Sequence, residues 1–309
     1  MSAGTDLKVD APLFDPTAPL TASGNLRRRD GVDRLIRYGA TVAAAIGVAM
    51  LVLVIYAVVS KGASVISLGF FVHNPVGLVG GGIAPFLVGT LEVVAIAAVI
   101  AVPVGVLTGL YLTEFAGPSS RTGNALKLGL DLMQGLPTIV VGLFVYGLIV
   151  VGLQGGKQSG IAASVALAIV ILPLMARSAQ EVLLLVPGTL REASDALGVS
   201  RWRSVLTVIL PAATGGIVTG AILAIARAAG ETAPILLTDS VFSSNSVSLN
   251  PFHGIATIPL YILTIADQAI PEAFAHAWGA AFVLLVMILF ANVLARVILA
   301  RSRAKMGGS

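Results

Sequence analysis

Six apolar stretches, joined by polar links, govern what this chain can fold into. They run from Tyr38 to Val59, Ala84 to Tyr111, Leu126 to Val151, Ile161 to Leu185, Ala212 to Leu237 and Trp278 to Leu299. A hydrocarbon core about 30 Å thick takes about 20 apolar residues of helix to cross. Backbone in lipid must satisfy its own hydrogen bonds, which favours helices for such runs. The pattern predicts an all-α polytopic membrane protein with six transmembrane helices. Composition agrees, with 57% hydrophobic and 11% charged residues, values outside the soluble range. The chain has no cysteine, which excludes thiolate metal sites and a cysteine nucleophile.

Lysines and arginines at the helix ends give the orientation, because they gather on the cytoplasmic side. If the N-terminus is inside, the inward segments hold Lys8, Arg27, Arg28, Arg29, Arg34, Arg37, Arg121, Lys127, Arg191, Arg201, Arg203, Arg296, Arg301, Arg303 and Lys305. The outward loops hold only Lys61 and Lys157. The net charge of +4 is thus an orientation signal rather than a sign of nucleic-acid binding. Both termini are expected in the cytoplasm, and the loop 239–277, with Asp239, Asp267 and Glu272 but no lysine or arginine, outside. Residues 1–37 are polar, with Pro12, Pro16 and Pro19, and are expected to be a disordered cytosolic tail ahead of a permease domain, 38–305. The first apolar run starts too late and is too long for a cleaved signal peptide.

Among the charges inside the expected helices, Arg177, Arg227 and Glu231 are the most telling. A charge at mid-bilayer costs roughly 2.5 to 17 kcal/mol, so such residues usually face a protein interior or a wet path. Arg227 and Glu231 stand four apart, on one face if the helix is continuous, where they can pair. A structural lock between helices is one reading of that pair. Arg177 tilts the balance, since two arginines and one glutamate leave a positive excess that calls for an anion. Arginine is well suited to holding one, because its planar fork binds oxyanions bidentately and stays charged. Glu231 then competes for Arg227 and keeps the site weak enough to release its ion. Glu92 is within reach of either arginine as a structural partner, while Asp131, Gln134 and Glu181 are expected at interfaces. His73, His253 and His276 fall in the outward loops without metal-ligand spacing and are expected in solvent. No Ser/His/Asp set falls at one depth, which argues against an intramembrane enzyme.

The link 186–211 between the fourth and fifth stretches has a helical pattern. Thr189 can cap a helix with Glu192 three positions on, Gly198 supplies a left-handed stop, and Ser200 can cap a second helix running into Pro211. Two short helices at an angle would form a knob on the cytoplasmic face.

Glu192-Ala193-Ser194, then Gly198, then Ile209-Leu210-Pro211 resembles the EAA loop of bacterial ABC-importer permeases, with serine in place of the second alanine. Arg227-Ala-Ala-Gly-Glu231-Thr-Ala-Pro234 and Gly135-Leu-Pro137-Thr-Ile-Val-Val-Gly142-Leu-Phe144 are similar to stretches of the phosphate-importer permeases, over a core of 84–299. Leu172-Pro173-Leu-Met-Ala-Arg177 fits the same family. The resemblance implies the type I importer, MetI-like permease fold in a bacterial plasma membrane. It implies that Arg177, Arg227 and Glu231 line the phosphate path and that Glu192, Ala193, Gly198 and Pro211 belong to the loop coupled to the ATPase. It also implies partners: a cytosolic ATPase dimer, a paralogous permease subunit and an extracytoplasmic phosphate-binding protein. The chain has no G-x-x-x-x-G-K-[ST] loop. ATP and magnesium are accordingly expected on the partner subunit, with no cofactor on this one. A permease for another oxyanion, sulfate or molybdate, is the alternative.

Overall fold

The computed structural model describes residues 26–77, 80–117, 119–240, 246–268 and 270–306, so most of the expected tail, residues 1–25, lies outside it. The backbone divides into two units, residues 1–56 and 57–309. In the first, α1 (Leu26–Gly62, ending in the second unit) is already helical at Leu26. The last part of the expected tail is therefore helix. Asp30 and Arg34, and Asp33 and Arg37, stand four apart with the acid first, an order that supports a helix. No proline lies between Pro19 and Pro75 to stop it.

The second unit opens with a 3₁₀ turn (Ala63–Val65), α2 (Leu68–Val72) and a short antiparallel pair, β1 (Pro75–Val76) with β2 (Gly80–Gly81). There follow α3 (Ala84–Leu110), α4 (Arg121–Gly135), α5 (Thr138–Val145) and α6 (Gly160–Leu184). Next come α7 (Gly188–Ala196), α8 (Arg201–Ser204), α9 (Leu210–Ala228), α10 (Ala233–Thr238), α11 (Ile258–Ala266) and α12 (Pro271–Met306). Helices α3 and α5 each end in a π-helical turn, Tyr111–Phe115 and Tyr146–Val151, and a third π turn, Val205–Ile209, joins α8 to α9 without a break. The second helix of the 186–211 link is thus the start of the fifth span, Arg201–Ala228, rather than a separate element ending at Pro211.

Among the described residues, five helices are long and apolar enough to cross a membrane; a sixth crossing requires α4 and α5 to count as one span. The stretch expected as one helix from Leu126 to Val151 is bent by 102°. Pro137 is the cause. The residue before a proline is driven out of the helical region, and Leu136 sits at φ −73°, ψ 135°. The fifth stretch is also interrupted, between Ala228 and Ala233. Pro103 and Pro173 lie inside unbroken helices.

Small residues bring the spans together, as van der Waals packing between membrane helices requires. A Cβ on Gly105 would sit 2.8 Å from the Met175 side chain and one on Gly109 2.9 Å from Ala179 Cβ, so α3 and α6 touch nearly backbone to backbone. A Cβ on Gly142 of α5 would come within 2.8 Å of Pro234 Cα in α10. The main core, built around Val93, Ala97, Leu167, Ile171, Met175, Val205 and Ile209, lies between α3, α6 and α9. A second cluster joins Phe70, Phe86 and Tyr261 to the start of α12, with Phe86 and Tyr261 stacked at 4.1 Å. His276 belongs to that neighbourhood, in α12 with its ring 5.8 Å from Phe70, and is half-buried rather than in solvent.

Candidate functional site

Two breaks in the helices face one cavity. The α4–α5 elbow contributes Gln134, Leu136 and Thr138, the end of α9 contributes Ala224 and Arg227, and the break after it contributes Glu231. Ile171, Pro173 and Leu174 of α6 form the wall between them. The cavity holds about 260 Å³. Gln134 Nε2 donates to the Pro173 carbonyl at 3.4 Å, so the elbow is tied to α6.

Helix α9 stops through a tight turn in which Gly230 N–H donates to Arg227 O (3.2 Å) and Glu231 N–H to Ala228 O (3.0 Å). Pro234 then stands in the first turn of α10, where its missing N–H costs nothing. Arg227 and Glu231 are therefore not one turn apart on a continuous helix. Both line the cavity, yet neither makes an ion pair or side-chain hydrogen bond among the described residues. Arg227 is exposed to the cavity, Glu231 half-buried.

Arg177 takes no part in lining that cavity. Its guanidinium forms an ion pair with Asp131 of α4 and donates to Gln180 Oε1 at 3.1 Å. The side chains of this pair are 28% and 60% exposed, so it lies at the open edge of the unit. Of the three charges expected together, the structure brings Arg227 and Glu231 to one cavity and leaves Arg177 with Asp131. Glu181 is exposed and unpaired among the described residues, and Glu92 reaches neither arginine. Glu92 instead lies near Asp239, at the end of α10.

The link after α6 folds as a knob. Gly198 is at φ +68°, the left-handed stop expected after α7, a conformation glycine adopts without steric cost. The cap differs from the expectation. Pro187 is the N-cap residue of α7, Thr189 makes no capping bond, and Glu192 stands in the second turn, exposed beside exposed Ala193. Ser200 occupies the N-cap position of α8, also without a side-chain bond. Ser194 is 6% exposed and donates to Leu190 O at 3.0 Å, which accounts for a small residue there and for the tolerance of a hydroxyl. Pro211 sits exposed in the first turn of α9.

Two acids escaped the sequence reading. Glu114, in the π turn after α3, is buried and bound to Arg191 and Arg201 of the knob. Asp239 is 2% exposed. Its Oδ1 accepts from Ser240 N–H (2.8 Å) and Ile255 N–H (2.7 Å), holding the segment around residue 255 against the end of α10.

Broken membrane helices around a cavity that displays an arginine unpaired among the described residues, with a helical knob between two spans, suit a membrane permease. The model of the family described as "Binding-protein-dependent transport system inner membrane component" matches residues 101–304, and the chain belongs to that family. It is 38% identical over 254 residues to "Phosphate transport system permease protein PstA 1" of Mycobacterium tuberculosis (strain CDC 1551 / Oshkosh), covering 80% of this chain and 82% of the relative. It is 36% identical over 259 residues to PstA of Yersinia pestis, covering 83% and 86%. Among solved structures, the inward-facing MetNI methionine ABC transporter superposes with a TM-score of 0.56 at 21% identity, covering 72% of this chain and 94% of that one. An amino acid ABC transporter gives 0.54 at 21% identity, covering 70% and 92%. These two likenesses concern the fold, the MetI-like permease architecture. The chain is a multi-pass permease component of an ABC import system, whose members work with ATPase and substrate-binding partners.

Proposed function

We propose that this chain is one of two permease subunits of an ATP-driven importer of inorganic phosphate, with both termini in the cytoplasm. A cytosolic ATPase dimer docks on the 186–211 knob, a paralogous permease subunit completes the path, and an extracytoplasmic phosphate-binding protein delivers the ion. ATP and magnesium belong to the ATPase. The observation that carries this reading is Arg227, unpaired among the described residues on the wall of a cavity at a helix break, in a chain whose relatives are phosphate transport permeases.

A free guanidinium in a partly dehydrated cavity offers phosphate a charge-assisted, two-pronged contact. Glu231, on the same wall, sets a like charge against the dianion and keeps its stay short, as conduction through a pathway demands. In this conformation the restraint on an arginine is at Arg177, held by Asp131, and not at Arg227. Arg177 joins the route when Asp131 lets go. The outer loop is the side from which the loaded binding protein presents its ion.

The test is uptake of labelled phosphate into proteoliposomes that hold the chain with its ATPase, paralogous permease and binding protein. Uptake should require ATP and fall with excess unlabelled phosphate, with sulfate and molybdate ineffective. Competition by sulfate or molybdate equal to that of phosphate would assign another oxyanion, and uptake without ATP would refute the coupled mechanism.

A further inference from the structure

The π turn Tyr111–Phe115 places one acid, Glu114, in a position no other carboxylate of the described chain shares. Its side chain is fully buried and forms ion pairs with two arginines. Arg191 of α7 reaches it sideways, through Nε at 3.2 Å and Nη2 at 2.8 Å. Arg201 of α8 forms an ion pair with the other carboxylate oxygen, its Nη2 at 3.3 Å, and donates from Nε at 3.1 Å to the Glu114 backbone carbonyl. Arg191 also donates to Leu183 O (2.9 Å), which Val186 N–H reaches as well at 3.2 Å, and to Val186 O (2.7 Å), two carbonyls at the end of α6. Beside this cluster, Phe115 meets Trp202 of α8 edge-on at 5.2 Å.

One carboxylate thus ties four pieces together: the end of α3, the end of α6, and both helices of the knob. The π geometry matters here. Wider turns of this kind re-aim side chains and recur at functional sites, and this one brings Glu114 and Phe115 both onto the knob. A buried ion cluster is weak evidence for stability, because desolvation offsets the attraction. Its use is in fixing geometry. Helices α3 and α6 are themselves in near-backbone contact through Gly105 and Gly109, and α6 carries Ile171, Pro173 and Leu174 of the cavity wall.

We propose that Glu114 is the positioning residue that clamps the knob to α3 and α6, so that a displacement of the knob moves the cavity wall instead of being absorbed in the loop. The clamp is a property of this chain alone. Its consequence for transport rests on the proposed role of the knob as the ATPase contact.

The experiment has two arms, using Glu114→Gln, which keeps shape and removes charge, and Glu114→Asp. Arg201→Gln, at a half-exposed arm of the cluster, serves as a milder variant, and Glu181→Gln as a control. In the first arm, amide hydrogen exchange is measured on the full chain in detergent. Glu114→Gln should speed exchange across 186–205 tenfold or more, Arg201→Gln less, and neither should alter 160–175. In the second arm, the assembled complex with phosphate-loaded binding protein is scored for phosphate taken up per ATP hydrolysed. Glu114→Gln should lower that ratio at least fivefold with basal ATPase activity retained, and Glu114→Asp should restore part of it. Unchanged exchange over 186–205 would overturn the clamp. Faster exchange with an unchanged ratio would overturn its role in transmission. Should the wild-type complex take up no phosphate, the proposed function fails while the exchange arm still decides the clamp.

Discussion

Asp239 provides a pH test of the contact between the end of α10 and the segment around residue 255. Burial raises its carboxyl from the usual 3.8 to about 7, its two backbone N–H bonds pull the other way, and the charge on nearby Glu92 adds to the rise. The unfolded chain loses this proton near the usual value, while the folded chain keeps it to about pH 7. Between those values the folded state binds more protons, so stability falls as pH rises, and above about pH 7 the full penalty of a buried charge applies. The difference of about 3 units corresponds to on the order of 4 kcal/mol. Asp239→Asn keeps an oxygen for Ser240 and Ile255 N–H and cannot ionise. The assay is the unfolding midpoint of the purified chain in detergent, followed by the fluorescence of Trp202 and Trp278. Other titrating groups contribute alike to both proteins, so the informative quantity is the difference between them. The variant should match the wild type near pH 3.5, below the unfolded value, fall between the two limits near pH 5, and melt well above the wild type at pH 8. A difference independent of pH, or a variant less stable at pH 8, would show that Asp239 does not carry a buried charge at neutral pH.

Gly142→Ala should destabilise the fold by about 1–3 kcal/mol, because its Cβ meets Pro234 backbone at 2.8 to 2.9 Å. Gly147→Ala, with nothing within 4 Å, should be neutral; equal melting of the two variants would contradict the close crossing of α5 and α10. Orientation is tested by single cysteines in this cysteine-free chain: one at Ser246 should react with a membrane-impermeant reagent in intact cells and one at Ser200 should not. The opposite labelling would invert the topology.

Apolar length and spacing were enough to read the spans, because lipid leaves few alternatives to helix. The two helix breaks were harder. Pro103, Pro137, Pro173 and Pro234 look alike in sequence, yet only Pro137 and Pro234 lie at breaks. The distinguishing signal is glycine just upstream: Gly135-Leu-Pro137 and Gly230-Glu-Thr-Ala-Pro234 combine a weak helix former with a residue that cannot donate. With the second break unseen, Arg227 and Glu231 read as a paired helical face. Gly198 was legible because a left-handed stop has a strong residue preference. Thr189 was not, because Pro187 already started the helix. Glu114 and Asp239 end apolar runs and resemble solvated flanks; their burial depends on partners 77 and 16 residues away, which spacing cannot show.

We propose Arg227 as a contact of the transported ion and not as a lock between helices. Phosphate uptake, normalised to purified ATPase-bound complex, should be measured for Arg227→Gln, Glu231→Gln and the double variant. A structural lock predicts that each single change strands a charge and that the double change recovers assembly and transport. Direct contact between Arg227 and the ion predicts that the double variant assembles normally and still fails to take up phosphate. Recovered uptake in the double variant would contradict it.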